Sequence, residues 1–133
     1  MKRINFNVLM KLFETDAYSM LIHDDLLIEF KVKKNAKLEE KDIWLSRDQS
    51  VGYLPGKKFV ILIESEGYMD ASSAARKAAA SEEYSRHVKA LALFSTKLHE
   101  TILGKLFLQL DKPLVPTRFF DNREKAIAWL KEL

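Results

Sequence analysis

A chain of 133 residues with 47% hydrophobic side chains is long enough to bury a core of its own and lacks the composition of a disordered chain. Its 22 basic residues exceed its 19 acidic ones by a net charge of only +3, and acids are interleaved along most of the sequence, which argues against nucleic acid as a partner. The absence of cysteine excludes disulfides, thiolate catalysis and thiolate-bound zinc.

Asn5, Asn7 and Lys11 interrupt the apolar residues of the first segment, and no small-residue cleavage site follows, so the start does not read as a signal peptide. Ile4 to Phe13 reads either as an added strand or as a loose arm. Tyr18 to His23 and Leu26 to Val32 are strand-like, with Asp24-Asp25 as a two-residue hairpin turn. In the second run Leu26, Ile28, Phe30 and Val32 alternate with Leu27, Glu29 and Lys31, which implies one buried and one wetter face. Lys31 to Lys37 is a basic connection, read as a solvated loop because Glu39, Glu40 and Asp42 follow at once. Leu38 to Val51 is helix-like, with Leu38 and Leu45, and Trp44 and Val51, forming two neighbouring apolar rows ended by Gly52 and Pro55-Gly56.

Phe59 to Ile63 is wholly apolar, the signature of a strand covered on both faces in the middle of a sheet. Asp70 to Ala80 reads as an alanine-rich helix capped by Asp70, and Ser81 as a second cap followed by Glu82 and Glu83. Val88 to Ser95 carries another apolar strand, and Lys97 to Leu110 a helix with Leu98, Ile102, Leu106 and Leu110 four apart. Pro113 and Pro116 precede Thr117 to Phe120, a short strand near a sheet edge. Asp121 and Glu124 have capping-box spacing ahead of a last helix carrying Ala126, Ile127, Leu130 and Leu133. No run approaches the length of a membrane span. The element order spells a single α/β domain, with a cytoplasmic protein as the expectation.

Four stretches carry a family resemblance: Phe59 to Glu64, Gly67-Tyr68-Met69-Asp70-Ala71-Ser72-Ser73-Ala74-Ala75-Arg76, Ser81-Glu82-Glu83-Tyr84, and Lys112 to Phe120. Together with the element order they resemble the STAS-type domains of anti-sigma-factor antagonists and sulfate-transporter tails, and in particular the SpoIIAA-like branch of small bacterial proteins. The resemblance implies a mixed sheet of four to six strands with about four helices mainly on one face, and a binding or regulatory module with no catalysis of its own. In the anti-sigma antagonists an Asp-Ser-Ser-Gly motif opens the helix after the central strand, and a serine there is phosphorylated to break a partner interface. Asp70-Ala71-Ser72-Ser73-Ala74 stands at the matching place, with Asp70 and one serine matching, Ala71 replacing the first serine and the glycine replaced.

Phosphate on Ser72 or Ser73 would meet the positive end of a helix, although the plainer role for both is to satisfy the helix terminus. His23, His87 and His99 share no metal-ligand spacing, and no phosphate loop or nucleophile motif is present. Arg118 suits an ion pair with Asp70 or Glu64, or else an anionic partner, and Tyr68, Met69 and Phe120 suit the sheet end where open α/β sheets place their ligands. The expectation is therefore a regulatory protein-interaction module, able to pair as a homodimer and without cofactor or metal. Its surface comprises Tyr68, Asp70, Ser72 and Ser73 with Arg118 nearby. The competing reading is a small-molecule or lipid-binding module with an apolar pocket beside the same helix.

Overall fold

A computed structural model describes residues 10–65, 70–94 and 112–133. In chain order the described elements are β1 (Met10–Glu14), β2 (Tyr18–His23), β3 (Leu27–Val32), β4 (Lys37–Leu38), α1 (Glu40–Tyr53), β5 (Phe59–Ser65) and β6 (Asp70–Ala71). They continue with α2 (Ser73–Ala79), α3 (Glu82–Ser85), β7 (Val88–Phe94), β8 (Thr117–Phe120) and α4 (Arg123–Lys131). Six strands form one mixed sheet in the order β1-β2-β3-β5-β7-β8, and β4 and β6 form a small second sheet. The β1–β2 and β2–β3 pairs are antiparallel, whereas β3–β5, β5–β7 and β7–β8 are parallel. This is the mixed α/β sheet that the sequence predicts, with Phe59 to Ile63 in its middle and Thr117 to Phe120 at its edge.

Strand alternation sorts the core into two layers. One face carries Tyr18, Met20, Ile22, Ile28, Phe30, Val32, Phe59, Ile61, Val88 and Leu91, packed against Ile43 of α1 and Ala75 and Ala78 of α2. The other carries Leu27, Leu62, Ala90 and Ala92 under Ala126 and Leu130 of α4. The small side chains at 90, 92 and 126 let α4 settle close to the sheet. Three of the four described helices thus lie on the first face, and α4 packs on the second, mainly over β5, β7 and β8. The second face of β1, β2 and β3 carries Leu12, Ser19, Leu21, His23, Glu29 and Lys31 by register, and it holds the features of interest.

Several local expectations are corrected. The hairpin turn is not the two residues Asp24-Asp25: Leu26 adopts φ 72°, and its N–H bonds the His23 carbonyl at 3.2 Å. A left-handed third residue restores the strand twist after an ordinary turn, so no glycine is needed. Helix α1 runs through Gly52 to Tyr53 and does not bury Leu45, which is exposed. Its buried residues are Asp42, Ile43, Ser46 and Ser50. The two serines are tolerated because Ser46 Oγ donates to Ile43 O at 2.9 Å and Ser50 Oγ to Ser46 O at 2.8 Å. The cap of α2 is Ser72, not Asp70, and the cap of α4 is Asn122, not Asp121. In each case the capping oxygen accepts from the N–H three residues on, Ala75 N at 3.0 Å and Lys125 N at 2.9 Å. Ser81 caps α3 as its position predicts. The expected helix from Lys97 to Leu110 lies outside the described residues.

Candidate functional site

Register brings together charges that are scattered in sequence. Glu29 on β3 lies opposite Leu21 on one side and Leu62 on the other, and Lys31 lies between Ser19 and Glu64. Arg123, the first residue of α4, reaches down onto this row. His23 Nε2 meets Glu29 Oε2 at 2.6 Å, and Arg123 Nη2 donates to Glu29 Oε1. Arg123 Nε reaches Glu64 Oε1 at 3.5 Å, and Lys31 Nζ lies 3.8 Å from Glu64 Oε2. Histidine, carboxylate, guanidinium, carboxylate and ammonium therefore alternate across β2, β3, β5 and α4.

The network is unevenly tight. Both Glu29 oxygens have close donors, whereas Glu64, with its side chain only 17% exposed, is held at 3.5 and 3.8 Å. Burial works against the Arg123 charge. The Glu29 carboxylate and, after it, Glu64 outweigh that, so the guanidinium pKa is raised above its ordinary value. The fixed charge ties the start of α4 to the sheet face.

Beside the network lies an open cleft of about 390 Å³ lined by Leu12, Ser19, Leu21, Glu29, Lys31, Glu64 and Arg123. Leu12 and Leu21 face each other across β1 and β2 and form its apolar wall. None of these residues was singled out by sequence as a site except Glu64, proposed there as a partner of Arg118. The signal was present in part: Glu29 and Lys31 fall on the wetter face of an alternating strand, but only sheet register shows that Glu64 and Arg123 join them.

The start of α2 is built differently. β6 pairs with β4 through Lys37–Asp70 and Leu38–Ala71, and Ser72 N–H donates to Leu38 O at 2.9 Å. The Ser72 hydroxyl is engaged in the cap, while Asp70, Ser73 and Ala74 are exposed. Arg118 is not with them. It lies opposite Ala92, on the α4 face of the sheet, with its guanidinium carbon 5.1 Å from the Phe120 ring and 5.6 Å from Trp129. Of the two acids expected to pair with Arg118, Glu64 is held by Arg123 and Lys31, and Asp70 is exposed on β6. Tyr68 and Met69 lie outside the described residues, as does His99.

A second polar group lies under α1. Tyr18 OH donates to Gln49 Oε1 at 2.7 Å. Burial, helped by the Asp42 charge, pushes the Tyr18 phenol up to about 12, and burial also pushes Tyr84 up against the opposing pull of Arg47. Among the described residues every buried side-chain nitrogen or oxygen has a hydrogen-bond partner, and no group of His, Asp and Glu is arranged to hold a metal. No helix among them is long and apolar enough to cross a membrane.

The model of a family described as a domain of unknown function, DUF7793, matches residues 20–133. A solved structure of a DUF3478-family protein with a SpoIIAA-like fold, from Shewanella loihica, superposes with a TM-score of 0.56 over 91% of each chain at 16% identity. At that identity the likeness is one of fold, and the fold is SpoIIAA-like. No curated protein matches the chain.

Proposed function

We propose that this chain, which belongs to the DUF7793 family, is a non-catalytic regulatory module that works by binding a protein partner in the cytoplasm. Its contact surface is the start of α2, centred on Asp70, Ser72 and Ser73. The observation that carries the reading is the combination of rigidity and exposure there: a cap at 3.0 Å and a backbone bond to Leu38 fix the segment, while Asp70, Ser73 and Ala74 remain open to solvent. A fixed polar surface loses little freedom on docking. The SpoIIAA-like fold supports the same reading by analogy. The apolar-ligand alternative draws no support from the sheet-face cleft, which is open and lined by five polar or charged residues out of seven.

The test is affinity capture from source-cell lysate, read by mass spectrometry for proteins and small molecules. A stoichiometric protein partner is expected, with affinity reduced about tenfold or more by Ser73→Asp, which places charge on the exposed first turn. Two results would overturn the reading. One is a co-purifying apolar small molecule without a protein. The other is a partner whose affinity is unchanged in both Ser72→Asp and Ser73→Asp.

A further inference from the structure

The sheet-face cleft is remote from the α2 surface, because its residues lie on the opposite face of the sheet from Ala75 and Ala78. It has three chemically distinct parts. The first is a carboxylate with spare acceptor capacity among the described residues: Glu64 is mostly buried, yet its nearest described donors stand at 3.5 and 3.8 Å, longer than a charge-assisted hydrogen bond. The second is a cation with room to turn: Lys31 is 44% exposed, with Ser19, which also lines the cleft, opposite it in register on the neighbouring strand. The third is an aliphatic wall made by Leu12 and Leu21, of which Leu12 is 57% exposed.

We propose that this cleft binds an α-amino acid zwitterion with an aliphatic side chain. The ammonium would settle on Glu64, the carboxylate on Lys31 and Ser19, and the side chain along Leu12 and Leu21. Spacing selects the α-amino acid. The Lys31 and Glu64 charges stand only 3.8 Å apart, so a ligand bridging them must carry its own two charges close together. In an α-amino acid the nitrogen and the carboxylate oxygens are about 3 Å apart, from standard bond lengths, and in a dipeptide the ends are about 3.5 Å farther apart. The cleft volume of about 390 Å³ accommodates a residue of leucine size. Glu29 is already held on each oxygen by a close donor, His23 on one and Arg123 on the other, and that pairing fixes Arg123 beside Glu64. The site is independent of the partner surface at α2, so either assignment can fail without the other.

Titration of the 15N-labelled full chain with L-leucine, followed by amide chemical shifts, tests the proposal. The expected result is saturable shifts at Leu12, Leu21 and Lys31 with a Kd of about 1 mM, weakened about fivefold or more in Glu64→Gln and in Lys31→Met. N-acetyl-leucine methylamide, which lacks both charges, and leucyl-glycine, which separates them, should not saturate the site. The proposal is overturned by no saturable shift from L-leucine at about 10 mM. It is equally overturned by equal binding of either control compound, or by unchanged affinity in both variants when their circular dichroism matches that of the parent.

Discussion

Glu29 joins two strands and a helix through one carboxylate, which makes it the best place to measure what the ion network contributes. Its side chain is 22% exposed and that of Arg123 is 39% exposed. Hydrogen bonds to charged groups contribute about 1.5–3 kcal/mol, and fully exposed ion pairs about 0.2–1 kcal/mol. A half-buried pair falls between, so a coupling of about 1.5 kcal/mol between Glu29 and Arg123 is expected. Glu29→Ala also strands His23, giving a loss of about 2.5 kcal/mol, against about 1.5 kcal/mol for Arg123→Ala. The double variant should then lose about 2.5 kcal/mol rather than the sum of the two. Guanidinium unfolding followed by circular dichroism reads this directly, with shifted midpoints at constant m-value. For a domain of this size the Glu29→Ala melting temperature should fall by about 9 °C. If the two single losses add to within about 0.3 kcal/mol in the double variant, the pair is not coupled and the network does not hold α4 to the sheet.

Other expectations are simpler. Leu62→Ala, at a fully buried position in the central strand, should cost about 3–4 kcal/mol in the same unfolding assay. Ser72→Ala should cost about 1 kcal/mol by removing the α2 cap, whereas Ser73→Ala, at an exposed position, should change stability by less than about 0.5 kcal/mol. Alkaline stability follows from Tyr18. Its folded pKa of about 12 lies above the ordinary 10.0, so the folded state keeps a proton that the unfolded chain loses. That contribution is complete below pH 10.0 and is lost as pH rises toward about 12. Thermal melting across this range should show the decline, with Tyr18→Phe flattening part of it and Tyr84, also raised by burial, contributing in the same direction.

The strands were legible because their cause is local. The unbroken apolar run from Phe59 to Ile63 and the alternation from Ile28 to Val32 fix burial without reference to neighbours, and both stand where the pattern puts them. The buried face of α1 was not legible, because Ser46 and Ser50 read as wet residues until their hydroxyls are seen bonding the helix's own carbonyls. Cap assignments slipped by one or two residues for a related reason. Asp70 and Asp121 are good capping residues, but backbone pairing at β6 and β8 holds the chain extended until Ser72 and Asn122. The charged cleft was least legible of all. Its residues span positions 12 to 123, and only the parallel register of β3 on β5 puts Lys31 beside Glu64. The same topology separates Arg118 from the serines of α2 by the thickness of the sheet.

The central claim, that the start of α2 is a protein-docking surface, is tested most directly by hydrogen exchange on the complex with the captured partner. The account predicts slowed exchange at Ser72 to Ala75, relative to the free chain, with the amides of β1 and β2 unchanged. Protection confined to β1, β2 or α4, with Ser72 to Ala75 exchanging as in the free chain, would contradict it.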